Sequence, residues 1–72
     1  MMMNEIKCNY KTRFYVVNNN EMEFLLPHYD NIILIAYENI AEIWEQIYDN
    51  RYTFKEEDRE LIEVLIESGV VY

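Results

Sequence analysis

Two rows of carboxylates recur at one spacing and are the side chains most able to do chemistry. Glu38, Glu42, Glu45 and Asp49 run i, i+4, i+7, i+11, and Glu56, Glu60, Glu63 and Glu67 repeat the interval. At 3.6 residues per turn each row becomes one acidic stripe along a helix. Such a stripe is either the solvated face of an amphipathic helix or a docking surface for a cationic partner, including a protein that normally holds nucleic-acid phosphates. Like charges at i, i+4 cost only a few tenths of a kcal/mol, so the stripes need no function to be tolerated. A hard metal ion would want its carboxylates in a loop of the EF-hand kind, not along a helix face. No metal site is predicted.

The remaining reactive residues are few. His28 is the only histidine; beside Pro27 it reads as a turn residue rather than a general base. The one histidine, His28, lies twenty residues from Cys8 in sequence, and Cys8 reads as a buried or inert thiol, not a nucleophile. One cysteine allows neither an internal disulfide nor a thiolate zinc cluster, which fits a reducing, cytoplasmic setting. One glycine excludes a glycine-rich phosphate loop. No catalytic residue and no cofactor are predicted.

Charge narrows the partners. Fourteen acids against six bases give a net charge of −8, which disfavours direct binding to nucleic acid or to an anionic membrane surface. Residues 38–72 carry ten acids and three bases, so nearly all of this charge lies in the second half. The N-terminus shows no signal-peptide apolar region, because Asn4, Glu5, Lys7 and Asn9 interrupt it. The longest apolar run, Ile32 to Tyr37, is about a third of a membrane span. The chain of 72 residues is 51% hydrophobic and 15% aromatic, enough for one ordered domain but with a thin core. Dimerisation or binding to a partner would supplement it. Tyr10, Tyr15, Tyr29, Tyr52 and Tyr72 lie off the helical stripes and are interface candidates.

The elements that must position these residues are legible from periodicity. Residues 1–10 show no clear period and are either flexible or partly ordered, with the initiator among Met1 to Met3 left open. Arg13 to Val17 is rich in aromatic and β-branched residues, and Glu21 to Leu26 alternates with Met22, Phe24 and Leu26 on one side. Asn18-Asn19-Asn20 supplies the turn, since Asn tolerates left-handed backbone angles. Residues 12–26 are therefore a predicted β-hairpin. Pro27 ends it, and residues 28–31 connect to a third strand, Ile32 to Ala36. Helical period begins at Tyr37: Ile40, Ile43, Trp44 and Ile47 span about 160° of arc, and Asp49 to Tyr52 breaks it. Thr53 and Glu56 have capping-box spacing, so a second helix should run from there to Ser68. Gly69 fits a left-handed C′ position with apolar Val70 after it.

Two apolar features exceed what this architecture needs. Leu61, Ile62, Val64, Leu65 and Ile66 cover about 200° of the second helix. Either Val64 and Ile66 meet the first helix, or part of the arc meets a second copy or a ligand. The strand Ile32–Ala36 is apolar on both faces. It is either central and covered on both sides, or an edge open to strand addition by an extended peptide.

Asn39-x-x-x-Ile43-Trp44-x-x-Ile47 after three short strands, with Asp58-x-x-x-Ile62-x-x-Leu65-x-x-x-Gly69-Val70-Val71 closing the chain, resembles the PqqD-type domain, also called the RiPP recognition element. The resemblance covers residues 12–72, and Asp49 to Tyr52 leaves no space for that family's short middle helix. It implies a winged-helix-like, non-enzymatic module that binds the leader of a ribosomally made precursor peptide by strand addition and presents it to a modification enzyme. Carried onto this chain, the peptide would lie along Ile32, Ile33, Leu34 and Ile35 and against Leu61, Val64 and Leu65. The expected fold is thus a single α+β domain: a hairpin and third strand over residues 12–36, then two amphipathic helices over residues 37–69. A reading of a different class is a small acidic, phage-type inhibitor. It would block a nucleic-acid-binding enzyme, such as a CRISPR or other defence nuclease, by placing its carboxylates where phosphates dock. A third is a structural homodimer with no ligand.

Overall fold

The alternation of Met22, Phe24 and Leu26 against Glu21, Glu23 and Leu25 puts one side of a strand in an apolar interior, and the architecture is built around that strand. A computed structural model describes residues 6–26 and 30–72. The expectations attached to Met1–Met3, Pro27, His28 and Tyr29 lie outside the described residues. Strands β1 (Arg13–Asn18), β2 (Glu21–Leu26) and β3 (Asn31–Ala36) form an antiparallel sheet in the order β1-β2-β3. Helices α1 (Ile40–Tyr48) and α2 (Arg59–Glu67) follow, the second preceded by a single 3₁₀ turn at Glu56–Asp58. The fold is α+β, as the sequence predicts.

Helices of nine residues are too short to be stable alone, so packing holds them. Met22, Phe24 and Leu26 meet Ile40, Trp44 and Ile47 of α1, Leu61, Ile62 and Leu65 of α2, and the tail residues Val70 and Val71 in one core. Trp44 lies edge-on to Phe24 and Phe14, with ring centroids 5.0 and 5.3 Å away. It is a core residue, not a stacking platform. Ile66 packs against the core from α2, whereas Val64 stays exposed.

The Asn18–Asn20 turn forms, but not by the expected backbone. None of the three has positive φ. Instead the Asn18 side-chain oxygen accepts from the Asn20 amide at 2.8 Å, an Asx turn, and Val17 is left as a bulge between the pairs Val16–Met22 and Asn18–Glu21. The turn has a second task. Asn20 carbonyl accepts from Tyr37 amide (2.9 Å), Asn19 carbonyl from Ala41 amide (3.2 Å), and Asn20 Oδ1 from Asn39 amide (3.0 Å). It thereby satisfies amides at the start of α1, whose own N-cap residue, Asn39, makes no side-chain cap bond. The left-handed positions fall at Asp30, Asn39 and Asn50 instead. Helix α1 starts at Ile40, three residues after the predicted onset, because Asn39 has φ of 61°.

The predicted capping box does not form. Thr53 is outside the helix, and the Glu56 carboxylate is taken by Arg59, Nε to Oε1 at 2.6 Å and Nη2 to Oε2 at 2.8 Å. Helix α2 begins only at Arg59. Its far end matches the expectation in detail. Gly69 has φ of 79°, its amide donates to Ile66 carbonyl (3.1 Å) and the Val70 amide to Leu65 carbonyl (3.0 Å), which is a Schellman motif.

Residues 6–10 are ordered against residues 70–72, the second of the two expectations for this segment. Lys7 and Tyr72 exchange amide–carbonyl hydrogen bonds at 2.8 and 2.9 Å, the Asn9 amide donates to Val70 carbonyl (2.9 Å), and Cys8 pairs with Val71. Paired backbone and the burial of Cys8, Val70 and Val71 fix this segment against the tail.

Candidate functional site

β3 is an edge of the sheet, so the reading of a strand covered on both sides is corrected. The register separates its apolar residues. Ile33 faces Phe24 and Ile35 faces Met22 on the core side, whereas Ile32 pairs with Leu25 and Leu34 with Glu23 on the outer side. Ile32 and Leu34 are 64% and 56% exposed. The four residues predicted to hold a peptide therefore divide between two surfaces.

Beside the free end of β3 lies a groove of about 310 Å³, lined by Ile35, Ala36, Tyr37, Glu60, Leu61 and Val64. It is the surface that joins the two features singled out in sequence. Ile35 comes from the doubly apolar strand, and Leu61 and Val64 come from the wide arc of α2. Val64, 41% exposed, is the accessible apolar residue on the helix side; Leu61 forms the buried base. Leu65 is 1% exposed and belongs to the core, so it does not line this groove. The first turn of α2 places Glu60 at the rim.

A buried carboxylate fixes how α2 meets the sheet. Asp58, just before α2, is 6% exposed. Its Oδ2 accepts from the Tyr52 hydroxyl at 2.6 Å and its Oδ1 from the Tyr37 hydroxyl at 3.2 Å, the latter shared with Glu57 carbonyl at 2.7 Å. Tyr37 follows β3 directly, so this cluster joins the end of the strand to the start of the helix. Burial first, then the Asp58 carboxylate, push both tyrosine hydroxyls up from their ordinary value, and both stay neutral donors at pH 7. In the sequence Asp58 stands only at the head of the closing Asp58-x-x-x-Ile62 pattern and Tyr52 only as an interface candidate. No local pattern marks a carboxylate whose partners lie 6 and 21 residues away.

The acidic rows are less regular than their spacing. All eight carboxylate residues are exposed, but Glu38 and Asp49 fall outside α1 and Glu56 lies in the 3₁₀ turn. Glu45 and Asp49 approach Arg51 at 4.0 and 3.3 Å, and Arg59 holds the Glu56 carboxyl below its ordinary value through their hydrogen bonds. Glu38 and Glu42 line a separate polar cleft of about 440 Å³ with Glu57, Lys55 and the Asp58–tyrosine cluster. Among the described residues no three of His, Cys, Asp and Glu converge to hold a metal ion. Burial pushes the Cys8 thiol up, away from the thiolate a nucleophile needs. Tyr10, Tyr15 and Tyr72 are exposed. No described helix is long and apolar enough to cross a membrane.

Comparison with protein-family models, with curated proteins and with solved structures found no match.

Proposed function

We propose that this protein is a non-catalytic module that binds an extended peptide at the β3 edge, with a precursor-peptide leader as the occupant and a modification enzyme as the recipient. The observation that carries this reading is the adjacency of a strand edge, unpaired among the described residues, and an apolar groove lined by Ile35, Leu61 and Val64. The edge offers backbone donors and acceptors in register; the groove takes alternate side chains of the added strand. Ile32 and Leu34 then contribute only their backbone. With Glu60 at its rim, the groove favours a peptide carrying a basic residue beside its apolar anchors.

The acidic-inhibitor reading keeps one observation in its favour: all eight carboxylate residues of the two rows are exposed. The same experiment separates the two. Tagged protein is purified from its native host in three forms: wild type, Val64→Glu, and the double reversal Glu42→Lys/Glu45→Lys. The peptide reading expects a short peptide or its maturation enzyme to co-purify, to be lost with Val64→Glu, and to be retained by the double reversal. Capture of a nuclease that the double reversal abolishes overturns it.

A further inference from the structure

Among the described residues nothing covers the outer face of the sheet. Both helices lie on the other side, and Tyr15, Leu25, Ile32 and Leu34 form an apolar band across all three strands, by the pairings Tyr15–Glu23–Leu34 and Arg13–Leu25–Ile32. Six residues per strand at about 3.3 Å and three strands at about 4.8 Å give a face of roughly 20 by 15 Å. Two such faces bury roughly 600 Å² in projection and somewhat more as accessible surface, the size of a weak, reversible interface. A shallow depression of about 150 Å³ opens on it between Arg13, Tyr15, Glu23, Leu25 and Ile32.

The charge on this face is complementary to itself. A second copy, at −8, is repelled by the acidic helix side, but here Arg13 and Glu23, of opposite sign, sit on neighbouring strands. Neither is in a salt bridge among the described residues. In a two-fold contact any pair i–j is made twice, so Arg13 of each copy can meet Glu23 of the other. Glu21, at the edge of the face, is already held by Asn18 Nδ2 at 2.6 Å.

We propose that the protein forms a two-fold dimer through this outer sheet face, with reciprocal Arg13–Glu23 pairs set among the apolar side chains of Tyr15, Leu25, Ile32 and Leu34. The arrangement leaves the β3–α2 groove open, and it stands or falls independently of the peptide reading.

Sedimentation equilibrium of the full chain from roughly 1 µM to 1 mM tests it, since an interface of this size associates within that range. Arg13→Glu and Glu23→Arg are compared alone, combined in one chain, and mixed as two separate chains. Each single variant should self-associate at least about tenfold more weakly. The double variant should recover, and so should the mixture, because both cross-copy pairs again join opposite charges. Tyr15→Lys should weaken association with both charges left in place. Circular dichroism checks that each chain is folded. A wild type that stays monomeric throughout overturns the proposal, as does a dimer indifferent to these substitutions.

Discussion

Replacing Tyr52 with Phe removes one oxygen and leaves a ring of the same shape. The lost hydroxyl is the closest partner of a carboxylate that is 6% exposed, at 2.6 Å from Asp58 Oδ2. The remaining partner, Tyr37, is 3.2 Å away and divides its proton with Glu57 carbonyl, so it cannot take over. A hydrogen bond to a charged group contributes about 1.5–3 kcal/mol, and a buried acceptor left short of donors adds a desolvation cost. Tyr52→Phe should therefore lose about 2 kcal/mol. A domain of this size has about 4–11 kcal/mol in all, and the midpoint should fall by about 8–16 °C. Tyr15→Phe is the control, because the Tyr15 ring is 64% exposed. Thermal and urea denaturation followed by circular dichroism at pH 7 measures both. A loss no larger than that of the control would refute the role assigned to the Asp58 cluster.

The same cluster fixes an alkaline signature. The unfolded chain gives up tyrosine protons near pH 10, whereas the folded protein holds those of Tyr52 and Tyr37 to higher pH. The stability they contribute is present in full below that point and is lost as pH rises further, so wild type and Tyr52→Phe should converge above pH 10 in denaturant titrations. Gly69→Ala should cost about 1 kcal/mol: φ is +79° and a Cβ there meets no atom within 4 Å, so the whole cost is backbone strain. Val64→Glu should stay within about 0.5 kcal/mol of wild type, while Leu65→Glu, one residue on, should abolish the cooperative melt by burying an unpaired charge.

What was legible in the sequence was what depends on neighbours within a few residues. The alternation at Met22, Phe24 and Leu26 gave the central strand, Ile40, Trp44 and Ile47 the buried face of α1, and Gly69-Val70 the end of α2. Interactions that close over longer distances were not legible. The hairpin turn acts as the cap of α1 because folding brings Asn19 and Asn20 beside Tyr37, Asn39 and Ala41. Thr53-x-x-Glu56 had the letters of a capping box, yet Arg59 claims the Glu56 carboxylate in two hydrogen bonds. The pairing of Cys8 with Val71 joins the ends of the chain, where periodicity carries no information. For the candidate groove, composition pointed to the strand and the helical arc but could not separate Ile35, Leu61 and Val64 from Ile32, Leu34 and Leu65. Strand register and helix rotation make that division.

The central claim concerns the β3 edge, and amide hydrogen exchange reads it directly. The protein is measured alone and with the peptide that co-purifies from its host. Strand addition predicts new protection at the β3 amides, Asn31–Ala36, together with slowed exchange in the first turn of α2 around Glu60 to Val64. Protection confined to α1 and the Glu38–Asp49 row, with β3 exchanging as fast as before, would contradict the account.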